Sequence, residues 1–315
     1  MRACACFLRD VLASNGDPTD PEQSYLSLAI SASLHARFEQ LSEPGRIASI
    51  SLAMQVLRQH LAAWSPNVPT ALETGGKVLL LGLADPSAQV KEYSLRSMTE
   101  IWTWDGADNV AHGLVEEWKR GCYDRASLQL TSAAPAIRAA AAKAVSGSPY
   151  HESDAALIAL LEDDVASVRK AGLLALCESA ADSLTSSHKM RLMDFLQDPD
   201  PEVVAATTRL LQACGVGESR LSLARLLKDP DPRQRATVAG SLAKMPEINP
   251  VPLLLTLSED SSPLVRISAV RVALESSDPR LRTRLLVMSE TDSDAEVRTL
   301  LHQHLAAKTE SKTPR

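Results

Sequence analysis

The sequence predicts an all-α chain built from stacked helical pairs, an α-solenoid. Three observations carry that prediction: a turn marked by Asp and Pro that recurs along the chain, a short apolar helix before and an amphipathic helix after each copy, and a composition poor in rings. Apolar residues make up 45% of the 315 positions but aromatics only 3%. Leu, Ala and Val at close spacing suit packed helices, whereas a β-sandwich favours aromatic and β-branched residues. A single compact core stops growing at roughly 250–300 residues, so a repeat array is a natural solution for this length.

The recurring turn reads Asp85-Pro86-Ser87-Ala88-Gln89-Val90-Lys91 in its first clear copy. Further copies begin at Asp163, Asp198, Asp229, Asp260 and Asp292, spaced 35, 31, 31 and 32 residues apart. Ser132 to Arg138 is a weaker copy without the Asp. Internal periods of this size mark repeat architectures. Each copy is helix punctuation: Asp or Ser accepts hydrogen bonds from the free N–H groups of the next helix, and Pro is tolerated in a first helical turn, where its missing N–H had no partner.

The flanks agree. Leu157, Leu160 and Leu161 precede one turn, and Leu192, Phe195 and Leu196, Leu223, Leu226 and Leu227, Leu253, Leu254 and Leu257, and Leu285, Leu286 and Val287 precede the others. After the turns, Val168, Ala171, Ala175 and Leu176, or Val203, Ala206, Leu210 and Leu211, show the spacing of one buried helix face. Ala171, Gly172, Ala206, Ala239 and Ala269 leave room for neighbouring helices to approach closely. No segment sustains the alternation of a strand.

An Asp in the turn followed about five residues on by Val-Arg resembles the HEAT repeat, in its PBS-lyase-like variant. The resemblance is strongest over residues 155–306 and extends through 77–150. It implies a right-handed superhelix of about seven to eight helical hairpins over 76–306. Residues 1–75 would form a divergent N-terminal cap holding two helices, about 20–40 and 44–64, and 307–315 a disordered tail. The resemblance also implies that the turn Asp and the Arg after the apolar anchor form a ladder joining neighbouring repeats. Here those residues are Asp85, Asp163, Asp198, Asp229, Asp260 and Asp292 with Lys91, Arg169, Arg235, Arg266 and Arg298, joined by Arg138. Val204 breaks the series.

A second basic row falls six residues after the anchor, at Arg96, Lys143, Arg209 and Arg271. At about 100° per residue it lies on the opposite helix flank from the ladder. In HEAT solenoids the second helices line the concave surface, so the row could edge a groove for an acidic partner. Trp102, Trp104 and Trp118 cluster within the longest gap between anchors, Val90 to Ile137. They are either hot-spot residues or filling for an irregular join. Arg96, Trp102, Trp104, Arg209 and Arg271 are the candidate partner contacts.

Chemistry is sparse. The net charge is −6 and the pI about 5.7, against the basic domain of a general nucleic-acid binder. Cys4, Cys6, Cys122, Cys177 and Cys214 are odd in number and irregular in spacing, which suits a reducing compartment. The short apolar run near Met1 is no signal-peptide core, and Val78 to Ala84 is too short to span a bilayer, so the expected location is cytoplasmic. No phosphate loop, nucleophile elbow or His-Glu-x-x-His motif occurs. His302-x-His304 points two rings about 200° apart on a helix, and His151-Glu152 is a lone His-Glu pair. No metal, cofactor or catalytic residue is expected. The predicted function is a non-catalytic protein-interaction scaffold or adaptor. The alternatives are an accessory subunit of a bilin or chromophore lyase-type system, suggested by the PBS-lyase-like resemblance, and a nucleic-acid-binding HEAT-like protein.

Overall fold

The structure, a computed structural model, describes residues 21–62, 67–105, 109–179, 181, 184–242, 245 and 248–310. Among them there is helix and turn but no strand. Cys4 and Cys6 lie outside the described residues. The chain divides into two compact units: the first runs to Lys189 and takes in Asp200–Cys214, and the second holds Met190–Pro199 and the residues from Gly215 onward.

The first unit opens with α1 (Pro21–Arg37) and α2 (Glu43–Ala62). A short α3 (Val68–Ala71) passes through a π-turn, Leu72–Gly76, into α4 (Lys77–Ala84), which pairs with α5 (Ala88–Ser97). Next come α6 (Asn109–Leu128) with α7 (Pro135–Ser146), and α8 (Asp154–Ala159) with α9 (Ala166–Ser179). After α10 (Ser186–Leu192), α11 (Pro201–Ala213) packs on α9. In the second unit the pairs are α12 (Glu218–Leu227) with α13 (Pro232–Leu242), α14 (Pro250–Leu257) with α15 (Pro263–Ala273), and α16 (Pro279–Thr291) with α17 (Ala295–Glu310). α17 runs past the boundary drawn at 306/307, and residues 311–315 lie outside the described residues.

The second members of the pairs form the spine of each unit: α2, α5, α7, α9 and α11 pack in succession in the first, and α13, α15 and α17 in the second. The anchors read from sequence point into that packing. Val90, Val168, Val203, Val265 and Val297 are fully buried and Ile137 is 1% exposed. Gln234, the anchor position of α13, is exposed, and Val238 and Ala239 are buried there instead. On α16, Leu281, Leu285 and Met288 face the core, while Leu286 and Val287 lie on the outer side, about half exposed.

The turns divide their work between two side chains. The first Asp takes the N–H two residues on: Asp85 Oδ1 from Ser87 (2.8 Å), Asp260 Oδ1 from Ser262 (2.8 Å), Asp292 Oδ1 from Asp294 (2.9 Å). The second polar residue caps the helix: Asp200 accepts from the N–H of Glu202 at 2.8 Å, Asp231 from Arg233 at 2.8 Å and Asp294 from Glu296 at 2.9 Å. The first carboxylate therefore keeps an oxygen free for another partner.

Two glycines mark where helices touch. A Cβ on Gly172 would sit 3.1 Å from Leu160 Cβ and 3.2 Å from the Leu157 carbonyl, which brings α8 against α9. A Cβ on Gly82 would sit 2.3 Å from Ser94 Oγ and 2.6 Å from Ile50 Cδ1, where α4 meets α5 and α2.

Candidate functional site

The free carboxylate oxygens are used by arginines. Arg138 grips Asp163 with two bonds, Nε to Oδ2 at 2.7 Å and Nη2 to Oδ1 at 2.9 Å. Its remaining Nη1 donates to the carbonyls of Ser132 (2.8 Å) and Ala133 (3.2 Å) in its own turn. Arg235 repeats the arrangement on Asp260 (2.8 and 2.9 Å) and on the carbonyls of Asp229 and Pro230 (2.8 and 3.1 Å). Arg266 repeats it on Asp292 (3.0 and 2.8 Å) and on the carbonyls of Asp260 and Ser261 (2.9 and 3.1 Å). Each guanidinium thus closes its own turn and holds the carboxylate of the next. The planar fork of five donors makes Arg the residue for this task.

Arg169 donates to the carbonyls of Asp163 (2.9 Å) and Asp164 (3.2 Å), and Arg298 to the carbonyl of Asp292. The N–H of Asp198 bonds the Phe195 carbonyl at 3.2 Å. Lys91, read as a rung, engages no carboxylate among the described residues: an ammonium lacks the fork, and the next turn carries Ser132 in place of Asp. Sequence reasoning missed Arg46. Its Nε lies 2.7 Å from Asp85 Oδ2 and its Nη1 donates to the Leu41 carbonyl at 2.8 Å. The signal was Ser42-Glu43-Pro44 opening a helix with an Arg in its first turn, obscured because no Asp precedes it.

The rungs set the titration of the carboxylates. The hydrogen bonds from Arg138 and Arg235 hold Asp163 and Asp260 below their ordinary values. Burial pushes Asp292 up, but Arg266 and the N–H of Asp294 outweigh it and the net direction is down. A depressed folded-state pKa stabilises above the unfolded value of about 3.9 and is lost as pH falls through the folded value. The expected result is full ladder stability above about pH 5 and progressive loss below about pH 4. Thermal melts of Asp163→Asn, Asp260→Asn and Asp292→Asn should show a shallower acid decline than the parent; equal slopes would place the acid sensitivity elsewhere.

The other flank of the second helices is open. A hollow of about 540 Å³ lies between α5 and α7, over Ala136 and Ala140. Another of about 360 Å³ lies between α7 and α9, over Ala171 and Leu174. Ala139 and Lys143 line both, so the two form one groove. Arg96, on its edge, is engaged by Glu92 one turn back at 2.5 Å. Lys170 pairs with Glu202 at 3.0 Å, and Ser146 donates to Glu178 at 2.8 Å. Lys143 and Arg209 are exposed and have no carboxylate partner among the described residues. Arg271, in the second unit, is in the same condition.

Trp102, Trp104 and Trp118 pack against neighbouring groups. Trp102 Nε1 donates to the Ala144 carbonyl at 2.8 Å and its ring meets Tyr150 edge-on. Trp118 is 7% exposed, donates to the Gly76 carbonyl at 3.1 Å and stacks on Trp104. Arg120 lies 5.0 Å over Tyr150 and pairs with Glu152 at 2.8 Å. Burial first, then Glu116, pushes the Tyr150 hydroxyl up to about 12, so it stays a donor to Glu116. These rings join α6 to its neighbours. Among the described residues no three His, Cys, Asp or Glu side chains gather into a metal-binding set, and no helix is long and apolar enough to cross a membrane.

No curated protein matches the chain. Among solved structures, the crystal structure of an engineered protein aligns over 96% of this chain and 88% of its own at 19% identity; its TM-score of 0.38 lends no weight to fold or function. The family of HEAT repeats matches residues 223–306, the stretch that holds the Arg235–Asp260 and Arg266–Asp292 rungs.

Proposed function

We propose that the chain is a non-catalytic protein-interaction scaffold of the cytoplasm that takes an acidic segment of a partner protein across its second helices. The observation that carries the reading is the pair of exposed, unpaired cations, Lys143 and Arg209, on helices bordering an open groove. Arg271 extends the same helical position into the second unit, and Arg96 can contribute once it exchanges Glu92 for a partner carboxylate. Trp102 and Trp104 hold the join at α6 and act on binding only through that packing. The repeat reading is extended to residues 76–306, with residues 1–75 as a cap. The ladder, in this reading, is purely structural: its arginines are satisfied within the protein.

The test is fluorescence anisotropy of a labelled polyglutamate peptide titrated with the full chain at low and moderate salt. Binding is expected to weaken with salt, and Lys143→Glu with Arg209→Glu to weaken it about tenfold or more while the helical melt is unchanged. No binding, or equal binding by the variant, would remove the reading. Tighter binding to a DNA duplex than to polyglutamate would move it to nucleic acid.

A further inference from the structure

The groove has a register. Lys143 on α7, Leu174 on α9 and Arg209 on α11 each stand six residues after the anchor of their helix, Ile137, Val168 and Val203. The three helices pack in succession, α7 on α9 and α9 on α11. Packed helix axes are about 8–10 Å apart. The surface therefore presents cation, apolar side chain, cation at equal steps of about that length. Three residues after each anchor stands an alanine, Ala140, Ala171 and Ala206. On α7 and α9 the methyl group is partly exposed and lets a bound main chain come close beside the row, while Ala206 on α11 is buried.

A ligand chain must match that step. A polyproline II segment has three residues per turn and a rise of about 3.1 Å, so residues i, i+3 and i+6 share one face at steps of about 9 Å. A β-strand puts i and i+3 on opposite faces. An α-helix returns to one face only every seven residues, a step of about 10.5 Å that overshoots the spacing at each of the two intervals.

We infer that this groove selects a partner segment in polyproline II conformation with the pattern acid-x-x-apolar-x-x-acid. One carboxylate lies on Lys143, the apolar side chain on Leu174 and the other carboxylate on Arg209. The inference rests on the acidic-partner reading above and narrows it to a spacing. Charge alone would accept any acidic stretch; the apolar side chain midway between two cations does not.

The probe is a labelled peptide, Glu-Pro-Ser-Leu-Pro-Ser-Glu, titrated with the full chain. The comparisons are the same peptide with one Ser inserted on each side of Leu, a scramble of the same composition, a helical peptide with the three groups at heptad spacing, and polyglutamate. The registered peptide is expected to bind about fivefold or more tightly than the inserted and scrambled forms. Leu174→Asp should abolish the preference and weaken the registered peptide about tenfold. Should Leu174→Asp fail to fold by circular dichroism, Leu174→Ala is expected to lose the preference about threefold. Equal binding of all acidic peptides, or tighter binding of the helical one, overturns the register while the acidic-partner reading stands. Failure of every acidic peptide, polyglutamate included, overturns both.

Discussion

Asp292→Ala is expected to destabilise the second unit by about 3 kcal/mol, lowering its urea midpoint by about 1–2 M. The Arg266 and Asp292 side chains are only 9% and 5% exposed, and the guanidinium holds the carboxylate through two bonds. Removing the anion leaves a buried cation with its two main-chain bonds and no counter-charge, and this costs more than the pair itself contributes. The substitution also strips the acceptor from the N–H of Asp294. Arg266→Met combined with Asp292→Leu should recover most of the loss, because the buried charge goes with its partner. The contrast is Lys228 with Asp194, 58% and 60% exposed at 2.8 Å, where Lys228→Ala should cost less than about 0.5 kcal/mol. Equal costs for the two pairs would mean that burial does not set the worth of a rung.

Gly82→Val should cost about 3 kcal/mol by overpacking. The added Cβ alone would fall 2.3 Å from Ser94 Oγ and 2.6 Å from Ile50 Cδ1, and both residues are fully buried. Ser94 is further fixed by its 2.7 Å bond to the Val90 carbonyl. α4 can relieve the clash only by moving off α5 and α2 together. Gly113→Ala supplies the opposite sign: that glycine lies within α6 with nothing within 4 Å of its Cβ position, so the methyl group should add about 0.5–1 kcal/mol of helix propensity. Urea unfolding monitored by helix circular dichroism checks both; a neutral Gly82→Val would show that α4 is free to shift.

The helical pairs were legible because two local signals recur at the turns, a capping side chain and a Pro that begins the next helix. α11, α13, α15 and α16 start on Pro201, Pro232, Pro263 and Pro279. The anchors were legible for the same reason, except at Gln234, where the buried face is rotated onto Val238. That the ladder joins neighbouring repeats was implied by the resemblance, but not in which direction along the chain each arginine reaches. The turn Asp lies near its own Arg in sequence, yet the carboxylate that Arg138 holds belongs to Asp163, in the following turn. Arg46 escaped because its turn has no Asp to announce it. The tryptophans were ambiguous from sequence, since the same residue serves a hot spot or a join; the bonds of Trp102 and Trp118 to backbone carbonyls are contacts of a join. The neutralisation of Arg96 by Glu92 was in plain view at i, i+4 spacing, a helix neighbour pair.

The Arg46–Asp85 rung spans 39 residues, where the Arg138–Asp163 and Arg235–Asp260 rungs span 25. The additional chain includes α3 and the π-turn, yet the clasp at its ends is the same. Lengthening a loop from 25 to 39 residues raises its closure entropy by only a few tenths of a kcal/mol, far less than breaking a buried rung costs. The clasp therefore fixes which helices are neighbours and leaves the length of chain between them open. New segments can enter between a clasping arginine and its aspartate without disturbing the stack, so this architecture can diversify by growth at its margins while its spine stays constant.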